Sequence, residues 1–172
     1  MPRKARSKLE RALVGTAGEY FVLYRLHLSG VMASLAPRNA PTVDILVLNP
    51  DETSQASVQV KTRTYGADGG WHFSEKHEGI EGPELFYALV DLEPDISVTY
   101  IVPSGVVAQV LRRAHRVWLS TPGKNGRQHR DSAVRRLRPK YNFDVPGYLP
   151  GWINEYLEKW VLLASSSNES DT

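Results

Sequence analysis

Two short segments rich in β-branched and apolar residues, joined by a turn-rich connection, constrain this chain most. Residues 42–48 read TVDILVL, and residues 57–62 read SVQVKT, in which valines alternate with polar residues. Such composition favours strands, and alternation is typical of a strand with one face in the core. The connection, NPDETSQA, is dense in turn formers. The two segments therefore predict an antiparallel hairpin.

The register of this hairpin decides which side chains share a face. Symmetric pairing about the connection gives facing residue numbers that sum to about 105, which sets Asp44 opposite Lys61 and Leu46 opposite Gln59. Side chains alternate between the two faces of a strand. Asp44, Gln59 and Lys61 are therefore predicted to share one face at the open end of the hairpin.

These residues have the chemistry of a cation site. The Asp44 carboxylate, the Gln59 amide oxygen and the Val60 backbone carbonyl are hard oxygen ligands that suit Mg²⁺, and Mn²⁺ takes similar ligands. The Lys61 ammonium can orient an attacking water or stabilise the charge that builds on a phosphate in the transition state. The alternative is structural, namely a weak cross-strand ion pair between Asp44 and Lys61 with a solvated Gln59.

The rest of the chain predicts further strands and helices around the hairpin. An amphipathic helix is expected from Ser7 to Leu28, because apolar residues recur there at three- and four-residue spacing: Leu9, Leu13, Ala17, Phe21, Tyr24 and Leu28. The other expected elements are a strand at residues 31–35, an edge strand around 71–73, strands at 85–92 and 97–102, a second helix capped by Ser104, and a final helix at 151–163.

Length and composition fit one domain in a reducing compartment. A chain of 172 residues suits a single domain, predicted here to span residues 1–165, with a polar tail at 166–172. The element order predicts an α/β (α+β) class with a mixed sheet of about five strands flanked by helices. Cysteine is absent, which excludes disulfides and thiolate metal sites. Because no apolar stretch suits a signal peptide or a membrane span, a cytoplasmic protein with no membrane partner is expected.

The hairpin resembles the core of the PD-(D/E)XK nuclease superfamily, to which restriction endonucleases and Holliday-junction resolvases belong. That family carries an acid on one strand and an acid-x-Lys tripeptide on the next. Here Thr42-Val43-Asp44 stands in the first position and Gln59-Val60-Lys61 in the second. Gln59 in place of an acid leaves one fewer negative charge for the metal, so lower Mg²⁺ affinity is expected.

The first predicted helix adds to the resemblance. Its sequence GTAGEYFV is similar to the opening helix of resolvase-like members, where a glutamate contributes to the metal site, and this implies the same role for Glu19. The resemblance covers about residues 8–105. It implies a restriction-endonuclease-like fold and a Mg²⁺-dependent endonuclease that acts on DNA, with RNA as the other possible substrate and a homodimer as a possible assembly.

A basic segment follows in the last third of the chain. Ten of the 21 Lys and Arg residues lie between Arg112 and Lys140, with Asp131 as the only acid among them. This pattern is typical of a phosphate-contacting surface, and the alternative is a solvated basic face. The predicted nucleic-acid contacts are Arg63, Arg112, Arg113, Arg116, Lys124, Arg127, Arg130, Arg135 and Arg136.

Histidines and tryptophans complete the candidates. Four histidines are scattered without paired spacing, which argues against zinc and places them at the surface or in loops: His72, His77, His115 and His129. The tryptophans are predicted at the core or its edge, with base stacking as the alternative: Trp71, Trp118, Trp152 and Trp160.

Three functions are compatible with these features. The leading hypothesis is a Mg²⁺-dependent DNA nuclease. The second is a nucleic-acid-binding module of the same fold that has lost cleavage, for which Gln59 is the main indication. The third is a protein-interaction domain whose basic segment meets an acidic partner.

Overall fold

A five-stranded sheet with one parallel pair runs through the middle of the fold. The computed structural model describes residues 7–49, 54–64, 69–93 and 95–164. Its strands are β1 Ala33–Leu35, β2 Ile45–Leu48, β3 Ser54–Thr64, β5 Leu85–Leu92 and β6 Val98–Pro103. The strand order is β1-β2-β3-β5-β6, with β3 and β5 parallel and the other neighbours antiparallel. The predicted α/β class with a mixed sheet is confirmed.

Both faces of this sheet are covered. Helix α1, Lys8–Leu28, lies on one face, and helix α2, Ser104–Ser120, lies on the other together with a two-stranded ribbon of β4, Trp71–Ser74, and β7, Val134–Leu137. Strand β5 therefore faces a core on each side, which explains its nearly continuous apolar sequence.

A capping box at Ser7 begins α1. The Ser7 hydroxyl accepts a hydrogen bond from the Glu10 N–H at 3.2 Å, and the Glu10 carboxylate accepts one from the Ser7 N–H at 2.6 Å. This reciprocal pair satisfies two backbone donors at the helix terminus. The helix stops at Gly30, whose φ of +76° favours glycine. The predicted first helix is confirmed.

The apolar stripe that predicted α1 does not face the core for most of its members. Gly18, Val22 and Leu26 are the buried residues. Four large side chains of the stripe are between 59% and 69% exposed: Leu9, Leu13, Tyr24 and Leu28. Tyr20, outside the stripe, is 58% exposed. Helix α1 thus has two apolar faces, and the spacing alone does not tell which one packs on the sheet.

Helix α1 touches β3 closely at Gly18. A Cβ built on Gly18 would overlap the Thr62 hydroxyl and come within 2.9 Å of the Thr62 Cβ. Only glycine permits this approach. The contact also fixes where the next helical residue, Glu19, lies relative to the sheet.

The predicted hairpin is confirmed as antiparallel, but its register was wrong by two residues. Ile45 faces Val58 instead of Val60, and the pairing shifts again between Val47 and Leu48 near the turn. This irregularity breaks the symmetric pairing that the sequence suggested. A slip of two residues leaves every paired side chain of β2 and β3 on its predicted face, whereas Asp44 lies just before the first paired residue of β2.

The strand predicted around residues 71–73 is present as β4, in the separate ribbon. Two local predictions were wrong. Ser104 does not cap α2; its hydroxyl exchanges hydrogen bonds with the backbone of Gly82 at 2.9 and 3.0 Å. In place of a final helix there are two short 3-10 helices, Trp152–Tyr156 and Trp160–Leu163.

The break between these two short helices has a visible cause. Glu158 adopts a left-handed φ of +53°. Its carboxylate accepts hydrogen bonds from the Thr99 N–H at 2.7 Å and from Arg25 at 2.6 Å. These contacts with β6 and α1 stabilise the left-handed backbone conformation of Glu158, which a continuous helix does not allow.

None of the described helices is long and apolar enough to cross a membrane. The predicted tail at 166–172 lies outside the described residues.

A matched pair of glycine variants tests the contact between α1 and β3. Gly18→Ala is expected to lower the free energy of unfolding by about 1–3 kcal/mol, because the new methyl group overlaps Thr62. Gly15→Ala has nothing within 4 Å of its new Cβ and is expected to raise stability by about 0.5–1 kcal/mol through helix propensity. Urea unfolding followed by circular dichroism measures both. Equal effects of the two substitutions would contradict the close approach.

Candidate active site

Asp44 is fixed at the open end of the hairpin by three hydrogen bonds. Its N–H donates to the Val58 carbonyl at 2.9 Å, and its carbonyl accepts from the Ala36 N–H at 2.9 Å. Its carboxylate accepts from the Val60 N–H at 2.7 Å. The side chain thus continues the strand ladder where β2 has not yet begun. The N–H and C=O of one strand residue point to the same side of the strand. Because the Val60 N–H points toward Asp44, the Val60 carbonyl points to that side too.

Gln59 and Lys61 lie on the face of the sheet that carries α2. Along the parallel pair, Gln59 lies beside Tyr87 and Lys61 beside Leu89, and both of these neighbours belong to the core under α2. Gln59 is only 7% exposed, and its Oε1 makes no hydrogen bond with a described residue.

Glu19 approaches Asp44 from the other face of the sheet. Burial, together with the nearby negative charge of Asp44, raises the pKa of Glu19 above its usual value. The structure therefore brings Glu19 and Lys61 within electrostatic reach of one carboxylate, which lies just before β2.

Lys61 lies in a partly buried environment. Burial lowers its pKa, and the positive charge of Lys76 lowers it further, while the carboxylate of Asp44 opposes both effects. Its ammonium lies 5.6 Å from the centre of the Phe73 ring, a distance suited to a cation–π contact. Lys61 is therefore neither a surface lysine nor half of a simple ion pair.

The prediction that His77 lies at the surface or in a loop was wrong. His77 is 4% exposed, and its Nδ1 lies 3.1–3.2 Å from the backbone and hydroxyl groups of Ser74. Its ring meets Phe73 and Tyr87 edge to face, and its Nε2 makes no hydrogen bond with a described residue. Burial and the positive charge of Lys61 help to lower its pKa.

Tyr87 was also missed as part of this site. Burial raises its pKa to about 12. Like the Gln59 Oε1, its hydroxyl is buried and makes no hydrogen bond with a described residue. Buried polar atoms without partners cost free energy and are uncommon in folded proteins. The pairing of β3 with β5 places Tyr87 beside Gln59, and no motif in the sequence signals it.

The donor set at this edge suits a hard cation only if backbone and amide oxygens take part. Among the described residues, no group of three or more His, Cys, Asp or Glu side chains is placed to hold a metal. The available oxygens are the carboxylates of Asp44 and Glu19, the unpartnered Gln59 Oε1 and the Val60 carbonyl. Mg²⁺ usually takes one or two protein carboxylates and keeps several waters, so this set fits its chemistry.

Arg63 is turned inward. It forms a 2.5 Å ion pair with Asp91, and its guanidinium lies 4.1 Å from the centre of the Trp71 ring. Its side chain is 18% exposed. This placement does not suit the predicted phosphate contact, because a phosphate would have to compete with Asp91.

Some predicted phosphate contacts in the basic segment already bond to other residues of the protein. Arg135 is 6% exposed and paired with Glu78, which does not suit the predicted phosphate contact. Arg112 pairs with Glu81 at 2.7 Å, and Arg113 donates to the Pro146 carbonyl at 3.2 Å. The side chain of Lys124 lies outside the described part of the structure. The remaining predicted contacts are exposed: Arg116, Arg127, Arg130 and Arg136.

No protein-family model matches the chain, and no curated protein sequence matches it. Any assignment of function therefore depends on the residues and their arrangement.

The raised pKa of Glu19 predicts a pH-dependent effect of its neutralisation. A carboxyl whose folded-state pKa is raised contributes stability below its unfolded pKa and loses that contribution as pH rises through the folded value. Glu19→Gln is therefore expected to be more stable than the wild type at pH 7, and this advantage should disappear at pH 4. Urea titrations in EDTA at both pH values measure the difference.

The exposed Glu84 provides a control for this experiment. Glu84→Gln should show no comparable pH-dependent gain. If Glu19→Gln behaves like Glu84→Gln, the carboxyls of Glu19 and Asp44 do not interact as the structure indicates.

Proposed function

We propose that this protein is a Mg²⁺-dependent endonuclease of the PD-(D/E)XK type that hydrolyses phosphodiester bonds in DNA. The observation that carries the proposal is the carboxylate of Asp44, held on the Val60 N–H at 2.7 Å, within electrostatic reach of Glu19 and of a partly buried Lys61. A fixed acid beside a lysine of lowered pKa suits hydrolysis of a phosphate ester better than it suits a surface ion pair.

Four groups of this chain would hold the cation: the carboxylates of Asp44 and Glu19, the Gln59 Oε1 and the Val60 carbonyl. When bound, Mg²⁺ lowers the pKa of a coordinated water and withdraws charge from the phosphate. The cation would also relieve the repulsion between Glu19 and Asp44 and give the Gln59 oxygen a partner.

Lys61 would act on the phosphate. Its ammonium can donate hydrogen bonds to a phosphate oxygen on which negative charge grows as the water oxygen bonds to phosphorus and the ester P–O bond breaks. Partial burial strengthens that interaction, because solvent screens it less. The lowered pKa also makes Lys61 a better proton donor than a surface lysine.

The DNA backbone would lie along the exposed part of the basic segment. Arg116, Arg127, Arg130 and Arg136 are exposed, and contacts from such residues to phosphates supply affinity with little sequence information. Arg63 and Arg135 are left out of this surface because each is paired with an acid and is 18% or less exposed.

A nucleic-acid-binding module without cleavage is the second candidate. The specific observation that favours it is Gln59, an amide where an acid would add a negative charge to the cation site. Weaker cation binding is the physical consequence.

A plasmid-nicking assay separates the two candidates. With Mg²⁺, the wild type should nick supercoiled DNA, and Lys61→Ala and Asp44→Asn should each slow nicking by about 100-fold or more, because each removes a group that acts on the transition state. Gln59→Glu should tighten Mg²⁺ binding in calorimetry, since it adds ligand charge.

Lys159→Ala serves as the control, because Lys159 is an exposed lysine outside the site. It should nick DNA like the wild type. If the wild type binds DNA but leaves it intact with Mg²⁺ and with Mn²⁺, the binding module is correct. If it does not bind DNA, both candidates fail.

A further inference from the structure

A groove of about 590 Å³ lies between the second half of α2 and the chain that follows it. One wall is formed by α2, and the other by β7 and the loops on either side of it. Grooves of this size with aromatic walls and a few polar groups are typical of small-ligand sites in proteins. The residues that define its character are Trp118, His129, Arg136, Arg138, Tyr141 and Phe143.

One wall of the groove, called the aromatic wall, is formed by three rings. The Trp118 ring stacks on His129 at 4.1 Å and on His115 at 5.4 Å, with interplanar angles of 23° and 27°. The His115 Nε2 donates to Asp131 at 2.8 Å, which fixes its ring. These contacts hold the rings in place, which lowers the entropic cost of binding a further ring.

Two further rings, those of Tyr141 and Phe143, also line the groove. Tyr141 and Phe143 are 5.4 Å apart. The Tyr141 hydroxyl donates to the Arg136 carbonyl at 3.2 Å and accepts from the Arg138 N–H at 3.3 Å. These bonds join the Tyr141 ring to the backbone of Arg136 and Arg138, two of the arginines that line the groove.

The groove carries uncompensated positive charge. Three arginines line it, and Arg135 is neutralised by Glu78. Arg136 and Arg138 form no ion pair with any residue that the structure describes. No Asp or Glu among the described residues lines the groove. Its ligand is therefore expected to be an anion that also carries a flat ring.

We propose that this groove binds one unpaired nucleotide of a DNA single strand, with the base against the aromatic wall and its phosphate on Arg136 and Arg138. The proposal deepens the proposed nuclease function and rests on it for the nature of the ligand, because it makes DNA with unpaired bases the substrate. A paired base in a duplex has no open face for such stacking, whereas an unpaired base has one.

The surroundings of the groove favour a strand over a free nucleotide. Arg116, Arg127 and Arg130 are exposed on α2 and on the loop that forms the groove. Neighbouring phosphates of a strand can contact them, whereas a free nucleotide has no further phosphodiester to offer. The shared chemistry of both ligands is an aromatic base with a phosphate, and the test separates them.

Binding is measured by quenching of tryptophan fluorescence in EDTA, with Lys61→Ala protein so that no cleavage occurs. The probes are a ten-residue oligothymidylate, a blunt duplex of equal length and thymidine 5′-monophosphate. The oligothymidylate should bind at least about fivefold more tightly than either of the others, since stacking and neighbouring phosphates both contribute.

Two groove variants and one control locate the binding. Arg136→Ala and Phe143→Leu should each weaken oligothymidylate binding by about fivefold or more, because each removes one of the two recognition elements. Arg38→Ala, which removes an exposed arginine outside the basic segment, should weaken it less than twofold. Circular dichroism and urea unfolding of each variant exclude loss of the fold as the cause.

Three results would overturn the proposal. Equal affinity for the monophosphate and the oligothymidylate would make the ligand a free nucleotide. Equal affinity for duplex and single strand would remove the requirement for an unpaired base. Groove variants that bind like Arg38→Ala would place the strand elsewhere. Binding is measured without metal, so it does not depend on cleavage. If the wild type nicks plasmid DNA and one of these three results is obtained, only the groove proposal is rejected and the nuclease proposal remains.

Discussion

The hydrogen bond from the Val60 N–H to the Asp44 carboxylate joins the two strands of the hairpin where their backbone ladder ends. It holds an acid just before β2, near Glu19 of α1 and near Lys61, whose ammonium lies beside Phe73 of the ribbon. The nearness of Glu19 and Lys61 to Asp44 depends on that position. If the carboxylate pointed into solvent, these residues would lie on separate faces with nothing in common.

Charge near Asp44 is costly. Burial and the negative charge of Asp44 disfavour the ionised form of Glu19, and burial also disfavours the charged form of Lys61. Buried polar atoms of Gln59, Tyr87 and His77 that make no hydrogen bond with a described residue add to this cost. Proteins concentrate such unfavourable groups at functional sites, where a ligand or a transition state compensates them. We therefore interpret this edge of the sheet as a site and not as an ordinary part of the core.

The sequence predicted the parts of this arrangement that depend on local periodicity. Alternation in SVQVKT placed Gln59 and Lys61 on one face, and this prediction does not depend on the register because residues two apart on one strand share a face. The apolar spacing predicted a helix from Ser7 to Leu28, and α1 runs from Lys8 to Leu28.

Features that depend on distant partners were not predictable in this way. Arg135 reads as a surface base because its acid, Glu78, lies 57 residues earlier in the chain. His77 reads as a loop residue because Phe73 and Tyr87 cover it only after the ribbon folds onto the sheet. Strand β7 was missed since its sequence, VRRL, lies within a basic and proline-punctuated stretch.

A crystal of the protein soaked in Mn²⁺ and measured at the manganese absorption edge tests the central claim most directly, because anomalous scattering locates the ion without any assay of activity. The account predicts an anomalous peak within about 2.5 Å of an Asp44 carboxylate oxygen, with Gln59 Oε1, Glu19 or the Val60 carbonyl among its other ligands. A peak elsewhere, or no peak at millimolar Mn²⁺, would contradict a cation site at this edge of the sheet.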